Sequence, residues 1–342
     1  MAGNLQVKGD MKIEELIDNG FPETRVLLIG DVMLDRYLKG EVQRISPEAP
    51  VPILKYQQQI IRPGGAANVA LNLKSLGAEV RIVSIVGIDT HGEKLMDILK
   101  NEGFEVSGIV RNGDRKTTVK TRIMAGGQQL LRVDEEEVKD ISTSMASQVW
   151  DEIEACIEGW QPEMILFQDY NKGLLTQEII QRTLSKAREG NIFTAVDPKR
   201  EHFFDYKSVG LIKPNLKEVR EALGWNCGID VESLRKCVGA LRERMDCVNV
   251  VITLSDKGIY VSSFNGDILA PTEAREIVDV CGAGDAVLSV VSLALYHGLE
   301  IGDIAEIANI AGGTVCGIAG VSPLPMRKWR KELEAKYRTI KG

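Results

Sequence analysis

The chain is expected to adopt an α/β fold on a mostly parallel sheet flanked by helices, and three observations carry that expectation. Apolar runs at 26–29, 80–86 and 164–167 lack the polar alternation of a one-faced sheet, so they read as strands buried on both sides. Segments with helical spacing separate such runs, which is the rhythm of βαβ units. A length of 342 residues, 44% of them hydrophobic, is enough for one large core.

Taken in order, residues 11–19 form a short helix ended by the turn Gly20-Phe21-Pro22. The strand at 26–29 runs into a loop at Gly30-Asp31. Residues 41–45 and 51–56 alternate around Ser46-Pro47-Glu48-Ala49-Pro50 and read as two short exposed strands. Pro63-Gly64-Gly65 breaks the chain before a helix at 66–76. A strand at 80–86 and a helix at 93–102 follow, closed by Gly103. Residues 108–133 read as a meander of strands, with a turn at Gly126-Gly127. Alternation then resumes, with helices at 143–158, 176–189, 216–223 and 231–244. The strands between them lie at 164–167, 193–196, 209–212, 248–253 and 258–262. The tail is helical at 284–296, 303–318 and 326–336. The β-rich stretches 37–57 and 108–134 are expected to meet as one small sheet, a lid set into a single domain of 1–342.

Composition excludes several function classes. Lys plus Arg total 42 against 49 Asp plus Glu, so a nucleic-acid partner held through its phosphates is not expected. No run approaches the roughly 18 apolar residues of a membrane span. The first 20 residues hold no apolar signal segment. A cytoplasmic protein with no membrane partner is expected. Six cysteines without a C-x-x-C pair read as reduced and mostly buried. Only three histidines are present, so a His-rich metal centre is not expected.

Four segments could carry chemistry. The first is Asp279-Val280-Cys281-Gly282-Ala283-Gly284-Asp285, running straight into a helix. Small residues let the backbone approach a ligand, and the helix start aims free N–H groups at an anion. Asp285 there is either a helix cap or a base that accepts a proton from an attacking hydroxyl. In the second, Arg62-Pro63-Gly64-Gly65-Ala66-Ala67-Asn68, the Asn68 amide suits sugar hydroxyls or pairs locally. The third places Asp31 and Asp35 just past the first strand, where open α/β sheets bind ligands; a turn-capping Asp is the alternative. In the fourth, Asn215 and Glu218 stand three apart at a helix start. They could face the water shell of a Mg²⁺ ion or form a capping box. Two weaker features remain. The cations Arg111, Arg115, Lys116, Lys120 and Arg122 could reach a substrate phosphate or form a solvated strand face. Thr253, Ser255, Gly258, Asn309 and Gly313 could line a nucleotide base or mark helix–sheet contacts.

These pieces in this order resemble the ribokinase-like (PfkB) carbohydrate kinases. The two signatures of that family match at 64–68 and 279–285, with the N-x-x-E element Asn215/Glu218 between them, and the similarity covers about 25–325. Stretches at 30–37, 44–52, 128–134, 169–173 and 196–199 further resemble the subgroup that phosphorylates D-glycero-D-manno-heptose 7-phosphate. Asn171 stands where that subgroup usually has Gly.

The resemblance implies Asp285 as catalytic base and Gly282, Ala283 and Gly284 as the anion hole. It implies Asn215 and Glu218 as organisers of Mg²⁺ and phosphate. Asp31, Gly64, Gly65 and Asn68 would hold the sugar, with Asp35, Arg44 and Arg122 added as substrate contacts. Arg36, Arg62, Arg111 and Lys120 are further candidates for the substrate's phosphate. Thr253, Ser255, Gly258, Asn309 and Gly313 would line the ATP site. ATP and Mg²⁺ would be the cofactors, and two lids would pair to make a homodimer. The bifunctional relatives of the subgroup carry a nucleotidyltransferase motif, H-x-G-H, which this chain lacks, so the kinase half alone is expected. A kinase of another sugar and a non-catalytic sugar-binding regulator are the alternatives.

Overall fold

The structure is a computed structural model that describes residues 8–273 and 277–339. The chain opens with α1 (Ile13–Asn19), β1 (Arg25–Gly30), β2 (Val32–Ile45), β3 (Pro52–Gly65), α2 (Ala66–Ser75), β4 (Glu79–Gly87) and α3 (Thr90–Asn101). Next come β5 (Ile109–Asn112), β6 (Val119–Ala125), β7 (Gln128–Glu135), α4 (Thr143–Ala155), β8 (Met164–Gln168), α5 (Gln177–Glu189) and β9 (Phe193–Asp197). Then follow β10 (Leu211–Ile212), α6 (Leu216–Leu223), α7 (Val231–Met245), β11 (Asn249–Thr253), β12 (Ile259–Ser263) and β13 (Gly266–Ala270). The last helices are α8 (Ala283–Tyr296), α9 (Ile301–Cys316) and α10 (Met326–Thr339).

The main sheet has the order β13-β12-β11-β10-β9-β8-β1-β4-β5. From β11 to β5 the pairing is parallel, and β12 and β13 add antiparallel at one edge. Both faces are covered. Val26 and Leu28 of β1 pack into the core under α2, α8 and α9, while Leu27 and Ile29 pack into the core under α4, α5 and α7. This two-sided burial is why the strands are continuous apolar runs.

The second sheet has the order β3-β2-β6-β7. It corrects the expected lid in two ways. β2 and β3 are each 14 residues long rather than short strands at 41–45 and 51–56, and Gly64 and Gly65 end a strand rather than break the chain. Register shifts at Lys39/Gly40 and Val42/Arg44 interrupt the side-chain alternation, so only the far ends look like strands in the sequence. The expected insertion at 108–134 is also divided. β5 pairs with β4 in the main sheet, and only β6 and β7 join the lid.

One cysteine expectation is also corrected. Cys227 and Cys237 form a disulfide, with Cα atoms 6.5 Å apart, because the loop after α6 turns back onto the second turn of α7. Among the described residues no helix is long and apolar enough to cross a membrane.

Candidate active site

Five neighbouring parallel strands deliver polar residues at their carboxyl ends, the place where open α/β sheets bind ligands. Asp31 follows β1, Gln168 ends β8 with Tyr170 just beyond, Asp197 ends β9, Lys213 follows β10 and Thr253 ends β11. Helix α8 points its N-terminus into the same space. Asp285 is not its cap. Gly282 takes that position, with φ of 84°, and Ala283 and Gly284 precede Asp285 in the first turn. That φ favours glycine, and a Cβ on Gly282 would also press on the Asn68 amide nitrogen at 3.0 Å.

Asp285 is buried and held by neutral donors. Asn68 Nδ2 donates to its Oδ2 at 2.7 Å, and the Tyr170 hydroxyl donates to its Oδ1 at 3.0 Å. Gln168 Nε2 lies 3.5 Å from the same Oδ1. Burial raises the Asp285 carboxyl to about 6, with Asp197 adding to the rise and the Asn68 and Tyr170 hydrogen bonds opposing it. Burial and then Asp285 hold the Tyr170 phenol well above its usual range, so it remains a donor.

Asp31 is the second buried carboxylate. Its Oδ2 accepts from the backbone N–H groups of Tyr170 and Lys172, at 2.9 and 3.1 Å. Its Oδ1 has no protein partner among the described residues, and neither has Asn68 Oδ1. Two such buried acceptors in one pocket with the Asp285 carboxylate mark a place for a hydroxylated ligand. Burial and then Asp169 raise Asp31 to about 6. The loop that supplies its donors turns at Asn171, with φ of 51°, a conformation Asn tolerates better than most non-glycine residues. The glycine pair is also explained. A Cβ on Gly64 would clash with Asp35 Oδ2, and one on Gly65 with the Asp31 carbonyl.

The opposite wall carries charge. Asp197 accepts from Lys199 at 3.2 Å and from Lys213 at 3.1 Å. Burial would raise its carboxyl, but the two ammonium groups outweigh burial and hold it below the usual value. Asn215 and Glu218 do form the capping box of α6: Asn215 Oδ1 accepts from the Glu218 amide at 2.9 Å, and Glu218 Oε2 from the Asn215 amide at 2.7 Å. The other Glu218 oxygen, Oε1, accepts from Lys199 at 2.5 Å. Beyond lies a cleft of about 900 Å³ that reaches from Asp285, past Asn215, to Thr253, Ser255, Gly258, Asn309 and Gly313.

The sequence model of the pfkB family carbohydrate kinases matches residues 23–328. The chain belongs to that family. The kinase is 39% identical to the bifunctional protein HldE of Pelobacter propionicus over 314 residues, 92% of this chain and 64% of that one. It is 40% identical to the HldE of Geobacter sulfurreducens over 297 residues, 86% of this chain and 60% of that one. The chain therefore spans less than two thirds of these curated relatives. In fold it is similar to phosphofructokinase-2 from Escherichia coli in complex with potassium. The TM-score is 0.77 at 19% identity, covering 92% of this chain and all of that one. Arabidopsis thaliana ribokinase complexed with ribose and ATP gives a TM-score of 0.68 at 16% identity, covering 91% and 99%. The kinase is thus a phosphotransferase with a sugar hydroxyl as acceptor, on the ribokinase-like fold.

The expected residues divide in their placement. Asp285, Gly282, Ala283, Gly284, Asn68, Asp31, Gly64 and Gly65 converge. Asp35 and Arg122 pair with each other in the lid beside Gly64, and the Arg122 guanidinium lies 5.3 Å from the Tyr37 ring centroid. Arg44 does not converge. It lies exposed near the far end of β2, nine residues from Asp35 and so roughly 30 Å along the strand. Arg111 pairs with Glu93 on the surface, and Arg36 is held by Thr121 and Glu135. The Asn309 amide donates to the carbonyls of Ala270 and Pro271, so its N–H groups brace the cleft edge. Tyr170, Gln168, Asp197, Lys199 and Lys213 were not among the expected site residues. Their available signal was position, at or just past the end of an apolar run.

Proposed function

We propose that this kinase transfers the γ-phosphoryl group of ATP to the anomeric hydroxyl of D-glycero-D-manno-heptose 7-phosphate, giving the 1,7-bisphosphate. The observation that carries the chemistry is Asp285, a buried carboxylate in the first turn of α8 beside two unpartnered acceptors. A carboxylate offers about four acceptor positions. Asn68, Tyr170 and Gln168 account for three, which leaves one for the sugar hydroxyl. Asp285 takes the hydroxyl proton as the oxygen attacks phosphorus. The amides of Gly282, Ala283 and Gly284 and the α8 dipole stabilise charge on the transferring group. Asp31 Oδ1 and Asn68 Oδ1 accept from neighbouring hydroxyls of the sugar.

ATP would occupy the cleft lined by Thr253, Ser255, Gly258, Asn309 and Gly313. Asn215 Oδ1 is engaged in the capping box, so Asp197 in place of the expected Asn215 would join Glu218 in holding a divalent cation, at the position where the Lys199 ammonium sits between the two carboxylates. Mg²⁺ bound there supplies charge neutralisation of the phosphates. The heptose assignment is supported by the resemblance at 30–37, 44–52 and 169–173 and by the HldE relatives. The lid exposes Ile45, Val51, Tyr56 and Leu131, a set suited to pairing with the lid of a second copy in a cytoplasmic homodimer.

An ADP-release assay with ATP and Mg²⁺ over heptose 7-phosphate, its mannose analogue, fructose, fructose 6-phosphate and ribose tests the reading. Turnover confined to heptose 7-phosphate is expected. Turnover only with unphosphorylated sugars or fructose 6-phosphate would overturn the substrate and keep the family.

A further inference from the structure

Lys199 occupies an unusual position. Its ammonium lies 3.2 Å from Asp197 Oδ1 and 2.5 Å from Glu218 Oε1, and 5.7 Å from the centroid of the Tyr170 ring. The remaining oxygens of both carboxylates are engaged elsewhere. Asp197 Oδ2 accepts from Lys213 at 3.1 Å, and Glu218 Oε2 accepts from the Asn215 amide at 2.7 Å. Each carboxylate therefore offers one oxygen to the same cation. Two carboxylates and two ammonium groups leave the cluster neutral. Asp197, Lys199, Lys213 and Asp285 all line the nucleotide cleft.

We propose that Lys199 is an exchangeable occupant of the divalent-cation position. Before nucleotide arrives, its ammonium holds Asp197 and Glu218 together. When a metal–triphosphate enters, the metal takes those two oxygens and the ammonium turns to the phosphate chain. This rests on the kinase reading above, and it assigns Lys199 a role of its own.

The charges favour this exchange. A divalent ion alone would have to displace Lys199 and then stand beside two ammonium groups, at close-range repulsion. A divalent ion carrying a triphosphate brings the anion that both ammonium groups need. The cleft therefore disfavours the free metal and accepts the metal–nucleotide complex. The long, rotatable Lys side chain suits the movement, which a rigid guanidinium fork would follow less readily. Lys199 is also not locked away, since its side chain keeps 24% of its surface exposed, against 7% for Asp197.

The test is Mn²⁺ binding to the full, nucleotide-free protein, followed by the electron paramagnetic resonance signal of free Mn²⁺. Lys199→Gln should bind Mn²⁺ on the order of tenfold more tightly than wild type, which corresponds to about 1.4 kcal/mol. Lys199→Arg should stay near wild type, because it still competes for both oxygens. Lys217→Gln is the control. Lys217 also lines the cleft but pairs with Glu221 rather than with either carboxylate. With ATP present, Lys199→Gln should show a KM for MgATP raised severalfold, the loss of its phosphate contact. Equal Mn²⁺ affinity in wild type and Lys199→Gln would overturn the proposal, as would an equal gain in Lys217→Gln, which would mark a general field effect. Sugar-kinase activity of the wild type tests the underlying reading separately, so the two can fail independently.

Discussion

Asp285 and Asp197 are both buried carboxylates in one cleft, yet their environments push them in opposite directions. Asp285 meets neutral donors from Asn68, Tyr170 and Gln168, so burial wins and its proton affinity rises to about pH 6. Asp197 meets the ammonium groups of Lys199 and Lys213, so its charge is secured and its carboxyl lies below the usual range. Under the proposed function the difference separates two jobs. A base must be able to take a proton, whereas a group that anchors cations must not. The residues that make the difference come from α2, from the end of β8 and from the loops after β8, β9 and β10, not from the strand or helix that carries either carboxylate.

The comparison can be broken most strongly at Asp285. Asp285→Asn should lower kcat by about 10²–10⁴, the usual worth of a positioned base, with both substrates still bound. The same variant should be more stable than wild type at pH 8. The raised carboxyl means that folding favours the protonated form, so ionisation costs stability as pH rises from about 4 through 6. The full cost above that window is roughly 3 kcal/mol, and it vanishes below pH 4. Denaturant unfolding at pH 8 and pH 4 checks the sign.

Asp197→Asn should act in the other direction. It leaves Lys213 buried without its counter-charge and should destabilise the fold by about 3–5 kcal/mol in chemical denaturation at neutral pH. An unchanged unfolding midpoint would mean that the ammonium groups had found other partners.

The smallest effect is expected from Tyr170→Phe. The phenol stabilises ionised Asp285, so its loss should raise that carboxyl further. The acid limb of kcat/KM should move to higher pH, with a rate below the limb reduced by up to about tenfold and little change at pH 9. A uniform loss at every pH would point to misplacement instead of proton affinity.

The core sheet was readable because two-sided burial leaves one signal. The run at 26–29 became Arg25–Gly30, and that at 164–167 became Met164–Gln168. The lid was less readable. Bulges at Lys39/Gly40 and Val42/Arg44 split its alternation; in the main sheet, the short edge strand β13 is only partly covered and begins with Gly266 and Asp267, so it too lacks a continuous apolar run. The same contrast runs through the site. Gly64, Gly65, Asn68 and 279–285 are local patterns that a glycine-rich turn before a helix announces. The Tyr170–Asp285 hydrogen bond joins residues 115 apart, and no local spacing encodes it. Gln168, Asp197 and Lys213 share one signal after all. Each is the first polar residue after an apolar strand run, and reading one residue past every such run would have found them.

The account rests on a base that gains proton affinity from burial while its neighbour loses it. Carboxyl ¹³C resonances of labelled aspartate, assigned with Asp285→Asn and Asp197→Asn and followed against pH in the unliganded protein, test that directly. The account predicts that the Asp285 resonance titrates near pH 6 and the Asp197 resonance below the ordinary 3.8. Titration of Asp285 at or below that ordinary value, or of Asp197 above it, would contradict the division of roles.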